Sequence, residues 1–104
     1  MVYAVFATEN LKKELSKLPQ EIQTKITKIF LQIKENPYVG DSLKYKFFRE
    51  KRIKEKRLYY LIYENLSAVL VVAIGGKKTQ QKTINHIIYY LSEYKKYMEN
   101  LFKK

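Results

Sequence analysis

The sequence predicts an α+β domain: an N-terminal strand, a two-helix hairpin, a three-stranded antiparallel sheet and a long C-terminal helix. Three observations carry that expectation. Leu11, Leu15 and Leu18, and then Ile22, Ile26, Ile29, Phe30 and Ile33, recur at helical spacing. Two apolar runs, residues 58–63 and 68–74, are short, rich in β-branched and aromatic residues and separated by a brief polar break. Downstream, Ile84, Ile87, Leu91, Tyr94, Met98 and Leu101 follow one another at steps of three and four, the seam of a helix packed along one stripe.

Taken in order, Val2 to Ala7 mix β-branched, aromatic and small residues and read as the first strand. Thr8 is placed to cap the first helix, because its hydroxyl can accept from a backbone N–H two or three residues on. Pro19 ends that helix or starts the next, which runs to about Glu35, where Asn36-Pro37 stops it and Gly40-Asp41 continues the break. Residues 43–54, LKYKFFREKRIK, read as the second strand. Alternation puts Tyr45, Phe47, Arg49, Lys51 and Ile53 on one face and Phe48, Glu50, Arg52 and Lys54 on the other. So many charges mark it as an edge or a strand with an open face. Residues 58–63 and 68–74 form the third and fourth strands, joined through Glu64, Asn65 and Leu66, and the fourth is apolar enough to be buried on both sides. Gly75-Gly76 ends the sheet, and a helix starts at Thr79.

A chain of 104 residues makes one domain, 1–104. The seam's first half is expected to pack on the sheet. Residues 92–104 are expected to outrun it as a helical extension, offering Tyr94, Met98, Leu101 and Phe102 to a second copy or a partner helix.

The net charge of +11 is unevenly placed. Residues 44–82 hold eleven Lys and Arg against three Glu, whereas residues 1–43 hold six Lys against five acids. Cations concentrated on a predicted sheet and on the corner Gly75-Gly76-Lys77-Lys78 favour a polyanionic partner. Cysteine is absent, so there is no thiolate chemistry. One His, one Asp and scattered Glu give little to hold a metal, and no cofactor is expected. Gly76-Lys77-Lys78-Thr79 lacks the glycine five residues earlier that a nucleotide-binding loop needs, since Val71 stands there. No run approaches the roughly 20 apolar residues that span a bilayer, and no signal peptide opens the chain, so a cytoplasmic protein without a membrane partner is expected.

A cation-rich site without a metal can still perform one nucleic-acid chemistry. In RNA the neighbouring 2′-hydroxyl attacks the phosphate, and the protein supplies positive charge for the transition state and groups that take and give protons. The element order, with Tyr59-Tyr60-Leu61-Ile62-Tyr63 and Ile74-Gly75-Gly76-Lys77-Lys78, resembles the RelE/ParE superfamily of toxins from toxin-antitoxin systems over residues 2–88. The resemblance implies a metal-independent endoribonuclease that cuts ribosome-bound mRNA. Arg52 with Lys54, or Lys51 with Arg49, fills the family's basic pair on the second strand. Tyr60 stands where the third strand usually carries Arg, with Arg57 nearby, and Gly76, Lys77 and Lys78 match the family's Gly-Lys-Arg. A functional Tyr or His often follows. A count reaches Ile84, leaving His86 or Gln81 for the role.

The implied catalytic set is Arg52, Lys54, Arg57, Lys78 and His86, and the implied RNA-binding set is Arg49, Lys51, Lys77, Gln81 and Tyr60. The implied partners are mRNA, the ribosome and a small acidic antitoxin, besides a second copy through the C-terminal helix. Two alternatives remain open: a ParE-like toxin inhibiting a topoisomerase through protein contacts, and an RNA-binding module without catalysis.

Overall fold

A computed structural model describes residues 2–103. A five-stranded sheet in the order β1-β5-β4-β3-β2 is covered on one face by two helices and on the other by two more. The strands are β1 (Ala4–Ala7), β2 (Asp41–Ser42), β3 (Phe48–Ile53), β4 (Lys56–Tyr63) and β5 (Ala68–Gly76), and the helices are α1 (Glu9–Ser16), α2 (Gln20–Glu35), α3 (Gln80–Tyr89) and α4 (Leu91–Phe102). β1 runs parallel to β5 and the other pairings are antiparallel.

Side-chain alternation along the central strands divides the core. Leu58, Tyr60 and Ile62 of β4 and Val69 and Val71 of β5 pack with Leu11, Ile26, Ile29 and Ile33 of α1 and α2. Tyr59, Leu61, Leu70 and Val72 take the opposite face with Ile87 of α3 and Met98 of α4. Both central strands are thus buried on both sides, as their continuous apolar sequences require. Pairing slips between Tyr59 and Tyr60, whose partners on β5 are Ala73 and Val71. Val72 is the extra residue of a bulge, which lets Val72 and Ala73 both pack on the α3 side. Thr8 caps α1 by accepting from Leu11 N at 3.2 Å.

Three expectations are corrected. The second strand does not begin at Leu43: residues 43–47 form a turn, in which Phe48 N donates to Tyr45 O at 3.1 Å and Leu43 N to Phe48 O at 2.9 Å. The Lys-aromatic alternation of that segment imitates a strand without being paired as one. Lys54 also lies outside the strand. It opens the Lys54-Glu55 hairpin turn with φ 55°, a backbone region costly for a side-chain-bearing residue. Third, the C-terminal helix is two helices, bending at Tyr90 (φ −101°, ψ 16°). The bend folds α4 back on the sheet, where Met98 is fully buried, while Phe102 meets the Phe6 ring edge-on at 5.7 Å. Residues 92–102 therefore complete the core instead of extending from it, and Met98 is not available to a second copy. Leu101 and Phe102 remain partly exposed.

Tyr60 is fully buried, and its hydroxyl organises the segment entering the sheet. It donates to Pro37 O at 2.6 Å and accepts from Gly40 N at 3.0 Å. Gly40 is required by this approach, since a Cβ there would lie 2.5 Å from Glu50 O and 2.6 Å from the Tyr60 hydroxyl. Tyr60→Phe would strip partners from two backbone groups, and urea unfolding is expected to register a loss of about 2 kcal/mol. Unchanged stability would mean that this clamp carries nothing.

Candidate nucleic-acid interface

Antiparallel register gathers the cations. Arg52 of β3 lies directly opposite Arg57 of β4, and Arg57 in turn lies opposite Gly75 of β5. The chain then leaves β5 through a 3-10 turn, Lys77–Thr79, into α3. Arg52, Arg57, Lys77 and Lys78, with Glu55, Gly76 and Thr79, line one hollow of about 480 Å³. Four cations face one carboxylate there. The excess of positive charge around one hollow favours an anion such as a phosphate there. Lys77 and Lys78 are exposed and have no ion-pair partner among the described residues. The first turn of α3, which has no side-chain cap, follows directly from Thr79 and adds the positive end of its dipole to this side.

Arg57 is held more firmly than its neighbours. Its Nε lies 3.8 Å from Glu50 Oε1, and both side chains are nearly enclosed, at 12 % and 13 % exposure. Gln80 donates from Nε2 to both Glu50 oxygens, at 3.0 and 3.2 Å. Glu50 thus ties β3, β4 and the start of α3 together behind the hollow. The Tyr59 hydroxyl is buried without a hydrogen-bond partner among the described residues, and burial, reinforced by the Glu50 carboxylate and opposed by Arg57, pushes its pKa up. Glu50, Glu55 and Gln80 were missed from sequence. The signal was present only for Glu50, which shares its strand face with Arg52.

The remaining sequence-predicted site residues fall elsewhere. Lys54 pairs with Glu21 of α2, whose carboxyl is held below the usual carboxylate range by that contact, and it lines only an adjoining hollow shared with Arg52. Arg49 donates to Gly40 O and Lys46 O, both at 2.9 Å, and lies over the Tyr38 ring. Lys51 is half-buried and pairs with Leu58. On the strand it alternates with Arg52 and so faces away from the corner. Tyr60, enclosed in the core, cannot stack on a base. Gln81 donates to Asn85 Oδ1 at 2.9 Å on the exposed side of α3. His86 lies 4.7 Å from the Tyr90 ring and lines a different hollow with Thr8, Asn10 and Glu14. Of the ten candidates, Arg52, Arg57, Lys77 and Lys78 are brought around one hollow.

No protein-family model matches the sequence, and no curated protein is detectably similar to it in sequence. Solved structures are similar in fold. A mutant of E. coli toxin RelE in the free state superposes with a TM-score of 0.69 at 18 % identity, covering 84 % of this chain and 99 % of that one. The fold is that of the RelE toxins. The RelBE2 toxin-antitoxin complex from Mycobacterium tuberculosis contributes a second match, at TM-score 0.64 and 23 % identity, covering 74 % of this chain and 93 % of that chain. An archaeal RelE-RelB complex from Pyrococcus horikoshii is a third, at 0.67 and 14 %, covering 74 % and 97 %. The RelE-like chains are spanned almost entirely, while about a sixth to a quarter of this chain lies outside the match.

Proposed function

We propose that this protein is a RelE-like toxin that cleaves RNA at the corner built by Arg52, Arg57, Lys77 and Lys78. The observation that carries this is their convergence on one hollow, from two strands and the turn before α3. The scissile phosphate sits among the four cations, whose charge stabilises the pentavalent transition state as the 2′-hydroxyl attacks. Arg57, already oriented by Glu50, presents its guanidinium at little entropic cost. The exposed lysines Lys77 and Lys78 are the corner's candidates for proton transfer. His86, set in another hollow, is not among them.

The substrate in this reading is mRNA, in particular message on the ribosome. RelBE complexes are among the structures of similar fold, and a small acidic antitoxin covering the basic face is the expected inhibitor here. A small acidic reading frame beside the gene is a further expectation. Incubating the purified protein with ribosomes and message, then mapping new ends, tests the assignment: defined internal ends support it. Intact message together with inhibited DNA supercoiling would replace it with topoisomerase inhibition. Salt-sensitive RNA binding without cleavage would leave a binding module.

A further inference from the structure

At the other end of β3 lies a second feature that the corner does not use. The turn at residues 43–47 carries Lys44, Tyr45, Lys46 and Phe47, all exposed. Its two rings stack on each other, with centroids 5.1 Å apart and planes 6° from parallel, yet each residue keeps more than a third of its surface open, 37 % for Tyr45 and 38 % for Phe47. Two large aromatics are thus held side by side and partly open to water.

The turn is braced, and the bracing explains why the pair is preformed. Phe47 O accepts from Ile62 N at 2.8 Å and Tyr45 O from Phe48 N at 3.1 Å. Arg49 Nη1 donates to Lys46 O, while the Lys46 ammonium and the Arg49 guanidinium lie 5.5 and 5.2 Å from the centre of the Tyr38 ring. Arg49, expected from sequence to contact RNA, instead fixes this turn. Beside the pair, Phe47 also lines an apolar hollow of about 540 Å³ with Ile62, Tyr63 and Leu91, and Lys95 borders it. The nearby acid Glu64 is engaged by the phenols of Tyr3 and Tyr38, Asp41 lies in β2 just before the turn, and Glu99 acts on Tyr63 of that hollow. Cations therefore predominate: Lys44, Lys46, Arg49 and Lys95.

We infer that Tyr45 and Phe47 are a stacking platform for an unpaired base of the same RNA strand whose phosphate lies in the basic corner, with Lys44 and Lys46 on its flanking phosphates. An exposed aromatic pair between lysines is the chemistry that single-stranded nucleic acid recognises, and it is tolerant of sequence because every base has a face to stack. The six residues of β3 separate the two sites by about 20 Å, a span that one extended strand of several nucleotides crosses. The inference rests on the RNA reading given above.

The test uses a short single-stranded RNA carrying 2-aminopurine, whose fluorescence is quenched on stacking, placed at successive positions and titrated with the full chain. One position outside the cleavage site is expected to be quenched by wild type. Tyr45→Ala/Phe47→Ala is expected to lose that quench and weaken binding about tenfold with an unchanged salt slope. Tyr45→Leu/Phe47→Leu, which keeps apolar bulk without a π-face, should behave the same way. Lys44→Ala/Lys46→Ala should instead flatten the salt dependence while keeping the quench. Quench and affinity retained in both aromatic variants but lost in Lys77→Ala/Lys78→Ala would overturn the platform and leave the corner standing. Absence of RNA binding by wild type would overturn the platform, while the corner is decided separately by the ends mapped on ribosome-bound message.

Discussion

Arg52→Ala/Lys77→Ala is expected to lower RNA cleavage by about 100-fold or more, with melting behaviour unchanged. Loss of a single preorganised charge-stabilising donor in other enzymes costs 10²–10³ in turnover, and this variant removes one cation from each side of the hollow. Neither side chain is part of the core, so the loss should be confined to chemistry. The companion variant makes the prediction specific. Lys54→Gly removes an ammonium of the same strand end, but one directed at Glu21, and it relieves the positive φ of the hairpin turn. It is expected to keep most of the cleavage and to be no less stable. Gel-resolved initial rates for the two variants decide between a localised corner and a diffuse basic strand. Equal losses in both would favour the diffuse strand.

Met98→Ala is expected to cost about 2–5 kcal/mol, read from urea unfolding, as fully buried methionines do when truncated. Met98 stands in the cluster with Phe48, Tyr59, Leu61 and Leu70, so its removal opens a cavity where α4 meets the sheet. A loss below about 1 kcal/mol would mean that α4 contributes little to the fold in solution. The effect should be on stability, because α4 provides no residue to the basic hollow.

How far the fold was legible follows from the kind of signal each element carries. β4 and β5 were readable because burial on both faces leaves apolar runs, and α1 and α2 because one buried face leaves a helical stripe. The break at Tyr90 was not, since no Gly or Pro marks it and the three-four spacing runs through it undisturbed. Both halves of that seam do pack on the same sheet face, Ile84 and Ile87 from α3, Leu91, Tyr94 and Met98 from α4. A straight helix over residues 80–102 would be about 34 Å long, nearly the greatest extent of the whole protein, 36 Å. The bend keeps the second half of the seam on the sheet.

The site was legible in its cations and illegible in their directions. Arg49, Lys51, Arg52 and Lys54 are near neighbours in sequence, yet only Arg52 reaches the hollow with Arg57, Lys77 and Lys78. Alternation along β3 decides the strand residues, and the hairpin turn decides Lys54. Tyr60 looked like a base-stacking residue because aromatics serve both purposes; its enclosure depends on Pro37 and Gly40, remote in sequence and brought together by the turn into β2. Glu50 and Gln80, which orient Arg57, are 30 residues apart and carry no local pattern that would join them.

If the corner promotes attack by the substrate's own 2′-hydroxyl, removing that hydroxyl must abolish the cut. The most direct measurement maps the ends produced from a ribosome-bound message and repeats the mapping on the same message carrying one 2′-deoxynucleotide on the 5′ side of the cut. That end is expected to disappear while cuts at unmodified positions persist. A cut that survives the missing hydroxyl would contradict it.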